Sequence, residues 1–179
     1  MDRHLFVYGS LCAPAVFAAV TGLRRRPVPA ELAGHRALRV RGQPYPMLVR
    51  AARDPGAAGV AVATGAARAE VARDSFVIGG LYRHLPRHAL RRLDAFEGPW
   101  YGRVRVRVRV RVIGPGPHGG FSHGSGTDVL AFAYRSARSA RVPLADEPWL
   151  LAPFLRTQAR GFARYWRDRF RRSRHQRIC

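Results

Sequence analysis

LFVYGSLCAPAVFAAVTG, residues 5–22, carries three structural instructions in order. Leu5 to Tyr8 is a short apolar run stopped by Gly9 and Ser10, the pattern of a buried strand that ends in a turn. Pro14 suits a first helical turn, where its missing N–H costs nothing. Ala15, Val16, Phe17, Ala18, Ala19 and Val20 continue the helix, and Gly22 is placed to end it. The unit is strand, loop, helix. Its loop, Tyr8, Gly9, Ser10 and Leu11, runs into a helix N-terminus, where backbone N–H groups and the helix dipole suit a carboxylate or an oxyanion. Gly9 lets a ligand approach the backbone. There is no G-x-G-x-x-G or G-K-[ST] pattern, so neither a dinucleotide nor a P-loop site is indicated. Taken alone, the loop also reads as an ordinary strand-to-helix turn.

Outward from this unit the elements are mixed. Residues 36–42 alternate, with Leu38 and Val40 between arginines, and predict a half-exposed strand running into Gly42, Pro44, Tyr45 and Pro46. Met47 to Val49 reads as a further short strand. Residues 51–74 are Ala, Gly and Arg with little periodicity, an insertion with a weak helix around Ala66 to Arg73. Phe76 to Tyr82 is apolar, and Gly79 and Gly80 inside it mark a sharp bend or a close neighbour. Pro86 to Ala95 predicts a short amphipathic helix with Leu90 and Leu93 on one face, Phe96 one turn on, and Gly98-Pro99 as its stop. Val104 to Val112 alternates strictly, with valines on one side and Arg103 to Arg111 on the other. Residues 114–128 read as a Gly, His and Ser loop, and Val129 to Tyr134 as a strand. From Trp149 onward, Leu151, Phe154, Leu155, Phe162, Tyr165, Trp166 and Phe170 recur at helical spacing, and Arg171 to Cys179 form a basic tail.

A chain of 179 residues, 47% hydrophobic and 24% charged, has the size and balance of one domain with its own core. Lys+Arg is 32 against Asp+Glu 11, a formal net charge of +21 that attracts polyanions over long range. The absence of lysine and asparagine looks like GC-rich coding, which accounts for arginine over lysine but not for so few acids. A nucleic-acid or other polyanion partner therefore stays open as the alternative to an enzyme. Cys12 and Cys179 have no C-x-x-C spacing, so no zinc, redox or disulfide framework is expected, and Cys12 reads as a small buried group rather than a nucleophile. Tyr8, Gly9, Ser10 and Pro14 interrupt the apolar stretch from Leu5 to Val20, which argues against a signal peptide. No apolar run approaches the roughly 20 residues of a membrane span, and the expected location is cytoplasmic.

Only four glutamates are present, Glu31, Glu70, Glu97 and Glu147. Glu97 is the best placed for acid/base work. It follows a helix whose C-terminal end carries partial negative charge, and Phe96, Trp100 and Tyr101 reduce its hydration, so its carboxylate should be disfavoured and its pKa raised. A base works best with a pKa near the working pH. The other reading of the same position is a surface residue between a helix and its glycine stop.

Together these segments resemble the gamma-glutamylcyclotransferase-like family. The resemblance runs through LFVYGSL at 5–11, PYPMLV at 44–49, GGLYRHL at 79–85, LDAFEG at 93–98 with Tyr101 and the strand after it, and VLAFAY at 129–134. It implies an α+β fold, a small mixed β-barrel flanked by helices. Residues 1–147 would form the gamma-glutamylcyclotransferase-like domain, with a C-terminal amphipathic helix and basic tail, 148–179, packed on it. It further implies that Glu97 is the acid/base, that Tyr8, Gly9, Ser10 and Leu11 bind the gamma-glutamyl moiety, and that Tyr101 is a candidate pocket residue. The implied reaction converts a gamma-glutamyl compound to 5-oxoproline with no metal or cofactor. The insertion at 51–74 and the loop at 114–127 depart from compact members and bear on the pocket.

Other signals are weaker. The arginine stripe at 103–111 is a phosphate footprint in principle, but a solvated outer strand face is favoured, because it lacks the interleaved aromatics of a single-strand platform. His118, His123 and Asp128 have neither a rigid element nor a compact metal spacing. The aromatic and arginine-rich C-terminal helix could lie on a membrane surface, and docking on the barrel is the favoured use of its apolar face.

Overall fold

The computed structural model describes residues 3–51, 75–111, 113–115, 121–123, 126–137 and 142–175. The first strand, β1 (Leu5–Val7), is buried on both faces, which is why it reads as an unbroken apolar run. Phe6 points into a barrel interior, while Leu5 and Val7 point outward beneath the helices. After a 3-10 turn at Ser10–Cys12 comes α1 (Pro14–Thr21), with Pro14 in its first turn and Gly22 in a left-handed conformation, φ 79°, as its cap.

Five strands close the barrel: β1, β5 (Phe76–Tyr82), β2 (Val28–Ala33), β6 (Tyr101–Val110) and β9 (Thr127–Ser136), each paired with the next. β1 returns to β9 in parallel, Leu5 opposite Phe132, and the other pairs are antiparallel, so the barrel is mixed. On β6 the period of two works as the sequence predicts. Val106, Val108 and Val110 are buried inside the barrel with Ala131 and Ala133 of β9, while Arg105, Arg107 and Arg109 face out.

A three-stranded sheet of β3 (His35–Val40), β4 (Pro46–Arg50) and β10 (Leu144–Pro148) closes over Leu38, Val40, Met47 and Val49. A short ribbon of β7 (Ile113–Pro115) and β8 (Phe121–His123) extends from β6. The helices α2 (Arg87–Glu97), α3 (Leu151–Thr157) and α4 (Ala159–His175) complete the fold. Leu90 and Leu93 of α2 pack with Val16, Phe17 and Val20 of α1, and Phe17 stacks on Tyr82 of β5 with ring centroids 3.6 Å apart. α4 packs along α1, and its Phe162, Trp166 and Phe170 lie against this core.

Several elements differ from the sequence reading. β2 was not expected, because Pro29 sits inside it, and proline removes a ladder donor. Pro29 keeps its place opposite Gly80 and uses its carbonyl to accept from Arg111 N at 2.9 Å. β10, LADEP, was also missed, since nothing in it alternates. The loop at 114–128 contains the β7–β8 ribbon and the start of β9, and β6 begins at Tyr101 rather than Val104. The single helix expected after Trp149 is two, parted at Gln158, where φ is −120°. Gln158 N still donates to Phe154 O, and Thr157 Oγ1 bonds Pro153 O at 2.9 Å. The weak helix expected at 66–73 lies outside the described residues.

Candidate active site

β1 ends pointing at the mouth of a cavity of about 380 Å³. Tyr8, Gly9, Ser10 and Leu11 form one wall, and Glu97 and Tyr101 lie on the same cavity, so the six residues expected to bind or act on the substrate line one space. The turn is tied down locally: Cys12 N donates to Gly9 O at 2.9 Å and Ala13 N to Ser10 O at 3.1 Å. A 3-10 turn leaves its first N–H groups, here those of Ser10 and Leu11, without an intrahelical acceptor. What presses on Gly9 is protein: a Cβ there would stand 2.9 Å from Cδ and Cγ of Pro46. Gly9 thus seats the turn against β4, a role the sequence reading assigned to ligand approach.

Tyr8 is buried, and its hydroxyl donates to Tyr134 O at 2.8 Å while accepting from Leu48 N at 3.2 Å, which pins β1, β4 and β9 together. Burial, with Tyr101 and Glu97 nearby, holds the Tyr8 phenol well above its ordinary pKa, so it remains a donor. Tyr101 donates to Pro46 O at 2.7 Å and packs edge-on against Tyr45 at 6.3 Å.

Glu97 is the last residue of α2. Gly98, at φ 67°, turns the chain away and returns its N–H to Asp94 O. The carboxyl faces the cavity and is only partly exposed. Among the described residues no hydrogen bond or ion pair reaches it. Burial first, and then the Asp94 carboxyl one turn earlier, push its pKa up to about 8. The sequence argument reached the same direction and named reduced hydration, the larger cause, beside the helix terminus; it did not name Asp94. Asp94 itself is held from two sides, accepting from Tyr134 OH at 2.6 Å and pairing with Arg103 at 3.3 Å.

The far wall was not assigned to the pocket from the sequence. Phe162 and Trp166 of α4 join Phe96 and Trp100 there, with Phe96 and Trp166 centroids 4.7 Å apart. Their helical spacing was legible, but the same spacing serves ordinary core packing. Cys12 lies behind the turn, its thiol donating to Val7 O at 3.3 Å, and burial pushes its pKa up to about 12, which keeps it protonated. No group of His, Cys, Asp and Glu suited to a metal occurs among the described residues. His118 lies outside them, as does the side chain of His123.

A closed mixed barrel presenting one carboxylate to an aromatic pocket defines the class, an α+β barrel protein with the gamma-glutamylcyclotransferase fold. In both block order and fold the chain resembles the gamma-glutamylcyclotransferase-like family. It is 33% identical over 90 residues to protein AIG2 C of Arabidopsis thaliana, covering 50% of this chain and 53% of that protein, so the chain spans about half the length of the curated relative it matches. A solution structure of another Arabidopsis thaliana protein superposes with a TM-score of 0.55 at 22% identity, over 97% of this chain and 85% of that one. A gamma-glutamyl cyclotransferase superposes with a TM-score of 0.51 at 13% identity, over 81% and 72%. At these identities the structures speak to the fold alone. No protein-family model matches the chain. No helix among the described residues is long and apolar enough to cross a membrane.

Proposed function

We propose that this chain cyclises a gamma-glutamyl compound to 5-oxoproline and releases the attached amine, with Glu97 as acid/base. The observation that carries the reading is a carboxyl with its pKa pushed up to about 8, facing the Tyr8–Leu11 turn across one cavity. The α-ammonium of a gamma-glutamyl group lies beside its own α-carboxylate and is less acidic than a peptide terminus, so a carboxylate whose pKa is raised toward it takes its proton at a smaller cost than an ordinary glutamate would. The substrate ammonium gives a proton to the Glu97 carboxylate, and the freed amine attacks its own γ-carbonyl carbon. A C–N bond forms and the carbonyl oxygen becomes an oxyanion, for which the N–H groups of Ser10 and Leu11, first-turn residues on the cavity wall, are the candidate donors. Glu97 returns its proton to the leaving nitrogen as the old C–N bond breaks. It then relays the second proton from the ring nitrogen, so an ammonium enters, an ammonium leaves and Glu97 ends as it began. Ring closure within one bound molecule supplies much of the rate by proximity, so one positioned carboxyl and a few donors suffice.

The test is release of 5-oxoproline from a panel of gamma-glutamyl amines, amino acids and dipeptides. Phe162, Trp166 and Trp100 would receive the leaving group, so conjugates of aromatic and apolar amines are expected to react fastest. Trp166→Ala should raise KM for these and leave kcat within a few-fold. Well-folded protein that releases 5-oxoproline from no member of the panel refutes the reading.

Asp94 acts on this chemistry through Glu97. Asp94→Asn keeps an acceptor for Tyr134 OH and removes the like charge, so the rising limb of kcat/KM against pH should shift to lower pH. An unmoved limb would show that Asp94 has no hold on the titrating group.

A further inference from the structure

A second concavity, of about 790 Å³, shares no lining residue with the first. Arg24, Arg25 and Arg26 come to it from the segment after α1, Arg92 from α2, and Arg167 and Arg171 from α4. We propose that this groove binds the phosphodiester backbone of a nucleic-acid strand.

The guanidinium group matches phosphate oxygens with paired donors. Part of the cluster is held in place before any ligand arrives. Arg25 donates to the carbonyl oxygens of Arg83 at 2.9 Å and His84 at 3.4 Å, and the Arg92 guanidinium stacks over the Phe170 ring, 4.7 Å from its centroid. The floor is made of small residues, among them Ala15 and Ala18 of α1 and its cap Gly22, so a backbone can approach closely.

The cluster also continues beyond the groove. Arg160, Arg164, Arg167 and Arg171 fall at i, i+4, i+7 and i+11 of α4, one stripe about 16 Å long on a helix rising 1.5 Å per residue. A line of cations leading from a concave cluster fits a ligand whose negative charges recur along a chain. A membrane fits less well, because the apolar side of α4, Phe162, Trp166 and Phe170, is turned into the core and offers no anchor. Like charges so close together repel one another, and the formal net charge of +21 adds to this, so a polyanion in the groove also stabilises the fold.

The test compares two double variants that each remove two positive charges. Arg167→Ala with Arg171→Ala empties part of the groove, while Arg105→Ala with Arg107→Ala strips the exposed face of β6. Binding of a fluorescent 20-nucleotide single-stranded DNA is titrated across a salt series, and thermal melting checks folding. The groove pair should weaken binding about tenfold at fixed salt, and the slope of log K against log salt should fall by about 1.4, the value for two phosphate contacts on a single strand. The strand pair should weaken it about twofold. Equal losses from both pairs would mean undirected attraction by net charge and would overturn the proposal. So would no binding by the wild type at moderate salt, or retention on anionic phospholipid vesicles that the oligonucleotide does not compete away. The reading of the first cavity does not enter this outcome, since Glu97 and its turn are untouched.

Discussion

Glu97→Gln loses between about 10² and 10⁴ of kcat/KM for gamma-glutamyl cyclisation, the usual worth of a positioned general base. The amide keeps the shape of the side chain and abolishes its proton transfer. Residual turnover would come from proximity and backbone donors, which the substitution leaves in place. In the wild type, kcat/KM should rise with pH as the free carboxyl ionises near 8 and fall again once the substrate ammonium has lost its proton. A variant retaining more than a tenth of the activity would remove Glu97 from the acid/base role.

The same variant should be more stable than the wild type, by a margin that opens above about pH 4.5 and is complete above about 8. Glu97 takes up its proton at about 8 in the fold against an ordinary value of 4.5, so between those pH values the folded state holds a proton that the unfolded state has released. Stability therefore falls as pH rises through this window. Glutamine has no such proton to lose. Near about pH 4 the two proteins should melt together. Above about pH 8 the whole difference between the folded and unfolded values counts, and the variant should gain at most about 5 kcal/mol, less what the carboxyl's partial exposure screens, read as a Tm higher by several degrees. Opposite behaviour, a variant less stable at pH 9, would mean that the carboxylate has a stabilising partner in solution.

What the sequence disclosed follows from which forces are local. β6 was legible because one face of it is valine and the other arginine, and burial of that single face fixes the register. α1 was legible from Pro14 and Gly22, which act through their own backbone angles. β2 and β10 were not, because pairing with Gly79, Gly80 and Val40, far along the chain, makes them strands. The candidate site divides in the same way. Glu97 and the 8–11 turn were reached from position and block order, and the turn and carboxyl do share a cavity. Asp94 was passed over because its effect depends on how α2 presents it three residues before Glu97, and Phe162 and Trp166 because their spacing also suits plain core packing.

Gly79→Ala should cost the fold about 3 kcal/mol, and a 179-residue chain should register that as a Tm lower by roughly 6–12 °C. Gly79 sits on β5 where that strand pairs with β2 on one side and, at the next residue, with Val7 of β1 on the other. A Cβ added there would fall on the Val7 carbonyl oxygen and within 2.7 Å of Phe6 Cζ. Backbone cannot swing aside as a flexible side chain does, so β1 itself must move. That strand feeds directly into the Tyr8–Leu11 turn, and Val7 O is also the acceptor of the Cys12 thiol, so the displacement travels to the cavity wall opposite Glu97. Activity measured well below the lowered Tm should therefore fall as well, chiefly in kcat, since misplacing oxyanion donors by a fraction of an ångström weakens the transition state more than the ground state. The neighbouring Gly80 separates the two effects. A Cβ there meets Pro27 Cβ at 2.5 Å and Cγ at 2.8 Å rather than β1, so Gly80→Ala should lower Tm while leaving kcat of the surviving folded protein near that of the wild type. Equal loss of kcat in both variants would show that the barrel transmits strain from either face, and the special coupling of β1 to the turn would have to be given up.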